Sequence, residues 1–344
     1  MRSLAVLYRP NTFEDIVGQG SIIEILKRQL ATNNIKNSYL FCGPSGTGKT
    51  TIARALALYI NSNKGTPIEI DAASNNSVDN IRALVEEAQS RALDAEYKIF
   101  IIDECHTLSS QAWQALLKTL EEPPTYTIFM FCTTNPEKVP NTIMNRVMRF
   151  NLTLIPASLT YQRLCYICEQ EGFTNFEETC DYLSRVCGGG LRDAIAALEK
   201  VADYSTDLSI DNALQVLGSY SYQDMISLTN YLVDNREADV LGSLDRFIAS
   251  GRGLRNFVSQ YLSFLLEANK YALCKSLSVT YFPKSLENDI KYMVSFERSI
   301  DFFNIVIDNL LTLKNTIRYD DDCNLTVEAA FVHILLETSK LWAA

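Results

Sequence analysis

The sequence has no long apolar stretch, no second CxxC pair, no low-complexity linker, no short internal repeat and no excess of basic residues. Each absence removes a class. The longest apolar runs, such as Lys98–Asp103 and Thr127–Cys132, are strand-length, far below the roughly 20 residues a membrane span requires. Met1–Pro10 has neither the basic start nor the apolar core of a secretory signal, so an intracellular, cytoplasmic protein with no membrane partner is expected. With 41 acidic against 31 basic residues and a net charge of −10, a free-standing nucleic-acid binder with a broad basic face is excluded. A local DNA-binding surface within an assembly is not.

Nine cysteines are scattered along the chain. Cys165 and Cys168 form a single CxxC pair followed by Cys180 and Cys187, whereas a zinc site of this type needs two such pairs. At i and i+3 beside Leu164 and Ile167, the pair suits the core face of a helix.

The length of 344 residues accommodates two or three domains and a real core. From Asn37 to Asn151 apolar runs alternate with helical patterns, which predicts an α/β domain with a parallel sheet. The expected strands are Ser38–Cys42, Pro67–Asp71, Lys98–Asp103, Thr127–Thr133 and Arg149–Leu152. The expected helices are Ile22–Leu30, Thr50–Ile60, Val78–Ala92 and Gln111–Glu121, the last capped by Ser109 or Ser110 and stopped by Pro123-Pro124. Beyond Pro156 helical periodicity takes over, at Leu159–Glu171, Phe176–Cys187, Leu191–Tyr204 and Ile210–Leu217, with Gly218 as a terminator. A third region, helical from Tyr222 onward, includes Leu254–Cys274 and Ser299–Leu313. The expected domains are 1–156, 157–220 and 221–344.

Gly43-Pro44-Ser45-Gly46-Thr47-Gly48-Lys49-Thr50 matches G-x-x-x-x-G-K-[ST] at every fixed position, between an expected strand and an expected helix. Its glycines let backbone N–H groups turn inward around phosphates, and the helix N-terminus adds partial positive charge. In such a loop Lys49 reaches the β- and γ-phosphates and the Thr50 hydroxyl ligates Mg²⁺; Thr51 follows in the same turn. The apolar strand Ile99–Ile102 ends in Asp103-Glu104, delivering two carboxylates to the sheet edge where ligands collect. Asp103 fits the Mg²⁺ shell, and Glu104 fits the group that orients or deprotonates a water. Together these strings predict a nucleoside triphosphatase that hydrolyses.

Further strings resemble bacterial sliding-clamp loader motor subunits of the DNA polymerase III gamma/tau type. They are Tyr8-Arg9-Pro10 with Phe13 and Val17-Gly18-Gln19, Ile68–Ser74, Asp103-Glu104-Cys105-His106, Leu116-Leu117-Lys118-Thr119-Leu120-Glu121-Glu122-Pro123-Pro124, and Gly189-Gly190-Leu191-Arg192-Asp193-Ala194. The resemblance is dense over residues 8–200; the rest suits the family only by length and helical pattern. It implies an AAA+ P-loop ATPase domain, a helical lid and an all-α collar. It also implies ATP and Mg²⁺ as cofactors, and clamp-loader subunits in a pentameric ring, a sliding clamp and primer–template DNA as partners. By the same resemblance the segment holding Tyr8, Arg9, Pro10, Val17 and Gly18 covers the adenine. Thr134 senses the γ-phosphate, Arg192 contacts the nucleotide from the lid, and Arg146 reaches into the neighbouring subunit's site. Asn145-Arg146-Val147 departs from the family's Ser-Arg-Cys motif, leaving Arg149 as a fallback. Helix starts at Asn75, Asn76 and Ser77 and at Ser109, Ser110 and Gln111 are the expected DNA-tracking elements, with Arg82 and Lys118 adding charge, and Arg91–Asp94 is the expected clamp-facing turn. The interval Ile60–Ile70 contains no cysteine, so the four-cysteine zinc module of most bacterial members is not expected. The compact form is also reminiscent of eukaryotic and archaeal small subunits and suits a bacteriophage homologue. With the sequence ending at Ala344, the long polymerase-binding extension of the tau form is not expected. The rival classes are another AAA+ DNA motor, of branch-migration or helicase type, and a non-hydrolysing loader scaffold.

Overall fold

The computed structural model describes residues 3–251, 253–276, 280, 282, 286–320 and 323–343. The chain divides into two compact units, Met1–Leu208 and Ser209–Ala344.

In the first unit, α1 (Leu4–Leu7) and α2 (Gly20–Ala31) precede β1 (Ser38–Cys42) and α3 (Lys49–Ile60). Then come β2 (Ile68–Asp71), α4 (Val78–Ala88), β3 (Lys98–Asp103), α5 (Ser110–Glu121), β4 (Thr127–Thr133), α6 (Asn141–Met144) and β5 (Met148–Asn151). The five strands form one parallel sheet in the order β2-β3-β4-β1-β5. Period-two alternation explains both of its faces. Tyr39, Phe41, Ile99, Ile101, Ile128, Met130 and Cys132 pack with Leu26, Ile52 and Leu56 on the side of α2 and α3. Leu40, Phe100, Ile102, Phe129 and Phe131 pack with Leu84, Trp113 and Leu116 on the side of α4 and α5. All seven residues of β4 are buried, as a central parallel strand covered on both faces requires.

The strand order reverses direction at β1, which pairs with β4 on one side and β5 on the other. The crevice at the carboxyl ends of such a sheet is the expected ligand position. Here it is formed by three adjacent strands, β3, β4 and β1.

Three helices complete the unit: α7 (Ala157–Glu171), α8 (Glu177–Val186) and α9 (Leu191–Tyr204). Their core includes Leu164, Ile167, Cys168, Cys180, Leu183 and Leu198. Cys168 and Cys180 bring their sulfurs to 3.7 Å inside it, while Cys165 is half-buried.

The second unit is helical: α10 (Ile210–Leu217), α11 (Tyr222–Val233), α12 (Glu237–Ala249), α13 (Leu254–Cys274), α14 (Glu287–Met293), α15 (Ser299–Thr316) and α16 (Cys323–Ala343). Gly218 ends α10 in the left-handed region, at φ 61°. A capping box at Ser221 and Asp224 opens α11. Phe257, Tyr261, Phe302, Phe303, Val306, Leu310 and Phe331 form its core.

The expectation for α4 is corrected at its end, which lies at Ala88 and not Ala92. Ala88 is the last residue on its buried face. The Glu87 carbonyl accepts from Lys98 Nζ at 3.0 Å and from Ser90 Oγ at 2.8 Å. Arg91 leaves to stack over the Tyr126 ring, and Leu93 is fully exposed. Strand β5 lies one residue earlier than expected, and β2 begins at Ile68. No helix among the described residues is long and apolar enough to cross a membrane.

Phe131 is fully buried between Phe129 and Trp113. Phe131→Ala is expected to destabilise the first unit by about 3–5 kcal/mol, measurable by denaturant unfolding.

Candidate functional site: the carboxyl edge of strands β1, β4 and β3

Residues 43–48 wrap between β1 and α3. Gly43 has φ 153° and Gly46 φ 73°. A Cβ on Gly43 would fall 2.7 Å from the Leu152 carbonyl oxygen, and one on Gly46 would fall 3.1 Å from the Gly190 Cα. The loop is thus clasped between β5 and the start of α9, and glycine is required at both points. Thr47 Oγ1 donates to the Pro44 carbonyl at 2.9 Å, closing the turn.

Lys49 opens α3 and is 6% exposed. Its ammonium donates to the carbonyls of Gly43 and Pro44, each at 2.9 Å. It makes no ion pair among the described residues. A buried cation held only by neutral carbonyls is poorly compensated, so an anion in this loop meets a charge already in place. Thr50 Oγ1 donates to Asp103 Oδ2 at 2.7 Å, placing a hydroxyl and a carboxylate within the coordination shell of one hard cation. This donor set fits a phosphate-bound Mg²⁺, with Thr50 and Asp103 as ligands.

Past Asp103 the backbone turns sharply. Glu104 lies in the left-handed region at φ 47° and ψ 41°, and its N–H donates to Asp103 Oδ1 at 3.0 Å. Thr134 Oγ1, just beyond β4, lies 2.9 Å from Asn135 Oδ1 and 3.2 Å from Glu104 Oε2, two acceptors for its one proton. The three adjacent strands therefore bring Lys49, Thr50, Asp103, Glu104 and Thr134 together. Burial pushes the neighbouring thiols Cys105 and Cys132 above the ordinary thiol range, leaving them protonated.

The N-terminal segment is tied to the same edge. Arg9 Nε donates to Thr51 Oγ1 at 3.4 Å. Burial, and then the neighbouring Arg54, lowers the pKa of the Arg9 guanidinium, and Arg192 also contributes. Arg9 and Arg192 thus add positive field beside the loop. Tyr8 donates to Glu171 Oε1 at 2.5 Å, and Arg163 Nη2 donates to the Tyr8 carbonyl at 2.9 Å. Partial burial and the bond to Glu171 push the Tyr8 phenol up to about 12. Gln19 Nε2 donates to the Thr153 carbonyl at 2.7 Å, beside Gly18 at φ 74°. Pro10 and Val17 are half-buried in the same segment.

Arg146 does not join this group within the chain. Its Nη1 donates to the Thr142 carbonyl at 2.5 Å and its Nη2 to Glu121 Oε1 at 2.6 Å, at the end of α5. Arg149 Nε donates to Asn151 Oδ1 at 2.7 Å. The two polar helix starts are exposed. Ser77 caps α4 by accepting from the Asn80 N–H at 3.2 Å, and Ser109 caps α5 by accepting from the Ala112 N–H at 3.2 Å. Asn76, Ser110 and Gln111 are exposed beside them, and Asn75 Nδ2 donates to the Asp71 carbonyl at 3.1 Å. Glu121, Glu171, Arg163 and His106 carried no site role in the sequence reading. Of these, His106 stood in the string directly after Asp103-Glu104-Cys105 and Glu121 in the string Leu116–Pro124, whereas Glu171 and Arg163 stood in none.

This phosphate loop, with a strand-end Asp-Glu pair on a β2-β3-β4-β1-β5 sheet and a helical subdomain, defines an AAA+ P-loop fold. The Holliday-junction branch-migration motor RuvB of Thermotoga maritima superposes with a TM-score of 0.52 at 17% identity, over 65% of this chain and 79% of that one. That likeness concerns the fold alone. Residues 66–156 match the family described as DNA polymerase III, delta subunit. DNA polymerase III subunit gamma of Buchnera aphidicola subsp. Schizaphis graminum is 30% identical over 313 residues, covering 84% of this chain and 85% of that relative. DNA polymerase III subunit tau of Bacillus subtilis is 33% identical over 298 residues, covering 80% of this chain and 53% of the relative. The chain belongs to the DNA polymerase III gamma/tau family. It spans 42–53% of the length of the Bacillus, Salmonella and Escherichia coli tau subunits it matches.

Gly43→Ala puts a methyl group into the Leu152 carbonyl and forces the loop open. Nucleotide affinity is expected to fall roughly tenfold or more, equivalent to about 1.4 kcal/mol or more, with far-UV circular dichroism unchanged; titration with a fluorescent ATP analogue measures the loss.

Proposed function

We propose that this chain is an ATP-hydrolysing motor subunit of a sliding-clamp loader, acting in DNA replication in the cytoplasm. The observation that carries the reading is the convergence of Lys49, Thr50, Asp103, Glu104 and Thr134 on the carboxyl ends of β1, β3 and β4. Family membership supports the loader assignment.

In this reading Lys49 gives up its two carbonyl bonds for β- and γ-phosphate oxygens. The loop Gly43, Pro44, Ser45, Gly46, Thr47 and Gly48 offers backbone N–H groups to the same phosphates, and Thr51 follows in the first helical turn. Thr50 and Asp103 would hold Mg²⁺, which would supply neutralisation of the phosphate charge. Glu104 accepts the proton of the attacking water, and Thr134 senses the γ-phosphate. Tyr8, Arg9, Pro10, Val17 and Gly18 cover the base. Tyr8 is bonded to Glu171 on α7, so the same segment links base occupancy to the helices that carry Arg192.

Arg146 acts on the neighbouring subunit. Its bond to Glu121 is exposed enough to exchange, with the two side chains 34% and 44% exposed. The functional divisions are 1–156 for the ATPase, 157–220 for the lid and 221–344 for the collar through which subunits join a pentameric ring. The helix starts bearing Asn75 and Asn76 and bearing Ser110 and Gln111 track primer–template DNA through N–H groups and short polar side chains. This suits a chain whose net charge is −10. ATP closes the ring around an open clamp only through its differential affinity for the two arrangements.

A steady-state ATPase assay of the loader assembly, with and without clamp and primed DNA, tests the whole reading. Stimulation by both together is expected. Stimulation by DNA alone points to another kind of motor, and no turnover points to a scaffold.

Glu104→Gln is expected to lower turnover by about 10²–10⁴ while ATP-bound assemblies persist on DNA, a delay visible in clamp-release kinetics. Arg146→Ala is expected to keep ATP affinity but lower turnover by about 10³ or more only in the assembled complex. Mixing wild-type and variant subunits separates this from an effect within one chain.

A further inference from the structure

One helix, α7, holds Tyr8 by its backbone, its ring and its hydroxyl. Pro10 disfavours helical backbone at Arg9, and α1 ends at Leu7 with Tyr8 as its cap. The Tyr8 carbonyl is therefore left outside that helix's own hydrogen-bond ladder. Arg163 Nη2 donates to it at 2.9 Å. The rings of Tyr8 and Tyr166 meet edge to face, with centroids 6.4 Å apart and planes at 89°. The Tyr8 phenol donates to Glu171 Oε1 at 2.5 Å.

The two charged residues of this grip do little for α7 itself. Glu171 is the last residue of the helix, before Gly172 at φ 72°. An acidic side chain is disfavoured there, where the macrodipole is negative, and the Tyr8 phenol gives its carboxylate a donor. Among the described residues neither Arg163 nor Glu171 forms an ion pair. The Arg163 guanidinium carbon instead lies 5.1 Å from the centroid of the Tyr166 ring. This cation–π contact holds the planar fork beside the Tyr8 carbonyl.

We infer that Arg163 is a positioning residue for the base of the bound nucleotide: acting through the Tyr8 carbonyl, it fixes the base-covering segment against α7 before the nucleotide arrives. The inference rests on the reading above in which Tyr8, Arg9, Pro10, Val17 and Gly18 cover the base. A cover fixed in advance costs less ordering entropy on binding. The contacts of Arg163 run to Tyr8 and Tyr166 and not to residues 43–50, and Arg9 keeps its own bond to Thr51. Loss of the Arg163 side chain is therefore expected to weaken the hold on the base and spare the hold on the triphosphate.

Calorimetric titration of the full chain separates the two ends of the ligand. One titrant is a non-hydrolysable ATP analogue and the other inorganic tripolyphosphate, which has no base; both are used with Mg²⁺. The wild-type chain is expected to bind the analogue more tightly than tripolyphosphate. Arg163→Ala is expected to weaken the analogue roughly tenfold while tripolyphosphate stays within about twofold. Alanine favours the helix, and unchanged tripolyphosphate binding reports an intact phosphate loop in the variant. Unchanged analogue binding in Arg163→Ala overturns the inference, as does an equal loss for both ligands, which marks a general structural effect. A wild-type chain that does not prefer the analogue defeats the base-covering reading itself, and the inference falls with it.

Discussion

A buried ammonium with no ion-pair partner among the described residues is the constraint around which the first unit is organised. Lys49 sits in the first turn of α3 with two peptide carbonyls as its partners among the described residues. Keeping a cation there costs stability that the surrounding core must offset. The core that does so is a five-stranded parallel sheet covered on both faces, whose alternating side chains fix each strand's register. A slip of one residue would turn the Ile99–Asp103 carboxylate end away from Thr50. The 2.7 Å bond between Thr50 and Asp103 is therefore a product of sheet register as much as of the two residues.

The region that answers to the phosphate loop is built from segments distant in sequence. Gly46 lies against Gly190 at the start of α9, and Tyr8 is bonded to Glu171 on α7. The loop is thus clasped by a subdomain that also grips the N-terminal segment. In the proposed function, rotation of those helices would move the phosphate and base ends of the crevice together.

The strands and most helices were legible in the sequence because the signals were local. Lys98–Asp103 and Thr127–Thr133 are apolar runs with polar ends, and Gly43–Thr50 declares its own conformation through its glycines. What stayed hidden was tertiary. Nothing local pairs Arg146 with Glu121, Tyr8 with Glu171, or Cys168 with Cys180, since each bond depends on how helices pack. The end of α4 was misplaced because Gln89–Ala92 carry acceptable helical residues. Lys98, on the next strand, takes the Glu87 carbonyl at the end of that helix. The left-handed Glu104 was likewise invisible, since a non-glycine residue there is held by its surroundings and not by its own preference.

The intramolecular pairing of Arg146 with Glu121 also bears on the economics of subunit association. Solvent-exposed ion pairs contribute only about 0–1 kcal/mol, so a solitary protomer keeps its guanidinium occupied at little thermodynamic advantage. In the proposed ring, a neighbour presenting polyanionic oxygens would take over that guanidinium by swapping one set of hydrogen bonds for another. The swap leaves Glu121 vacant at the end of the helix that Ser109 begins. In that reading a single exchange would mark, at the end of α5, whether the adjoining seat is filled.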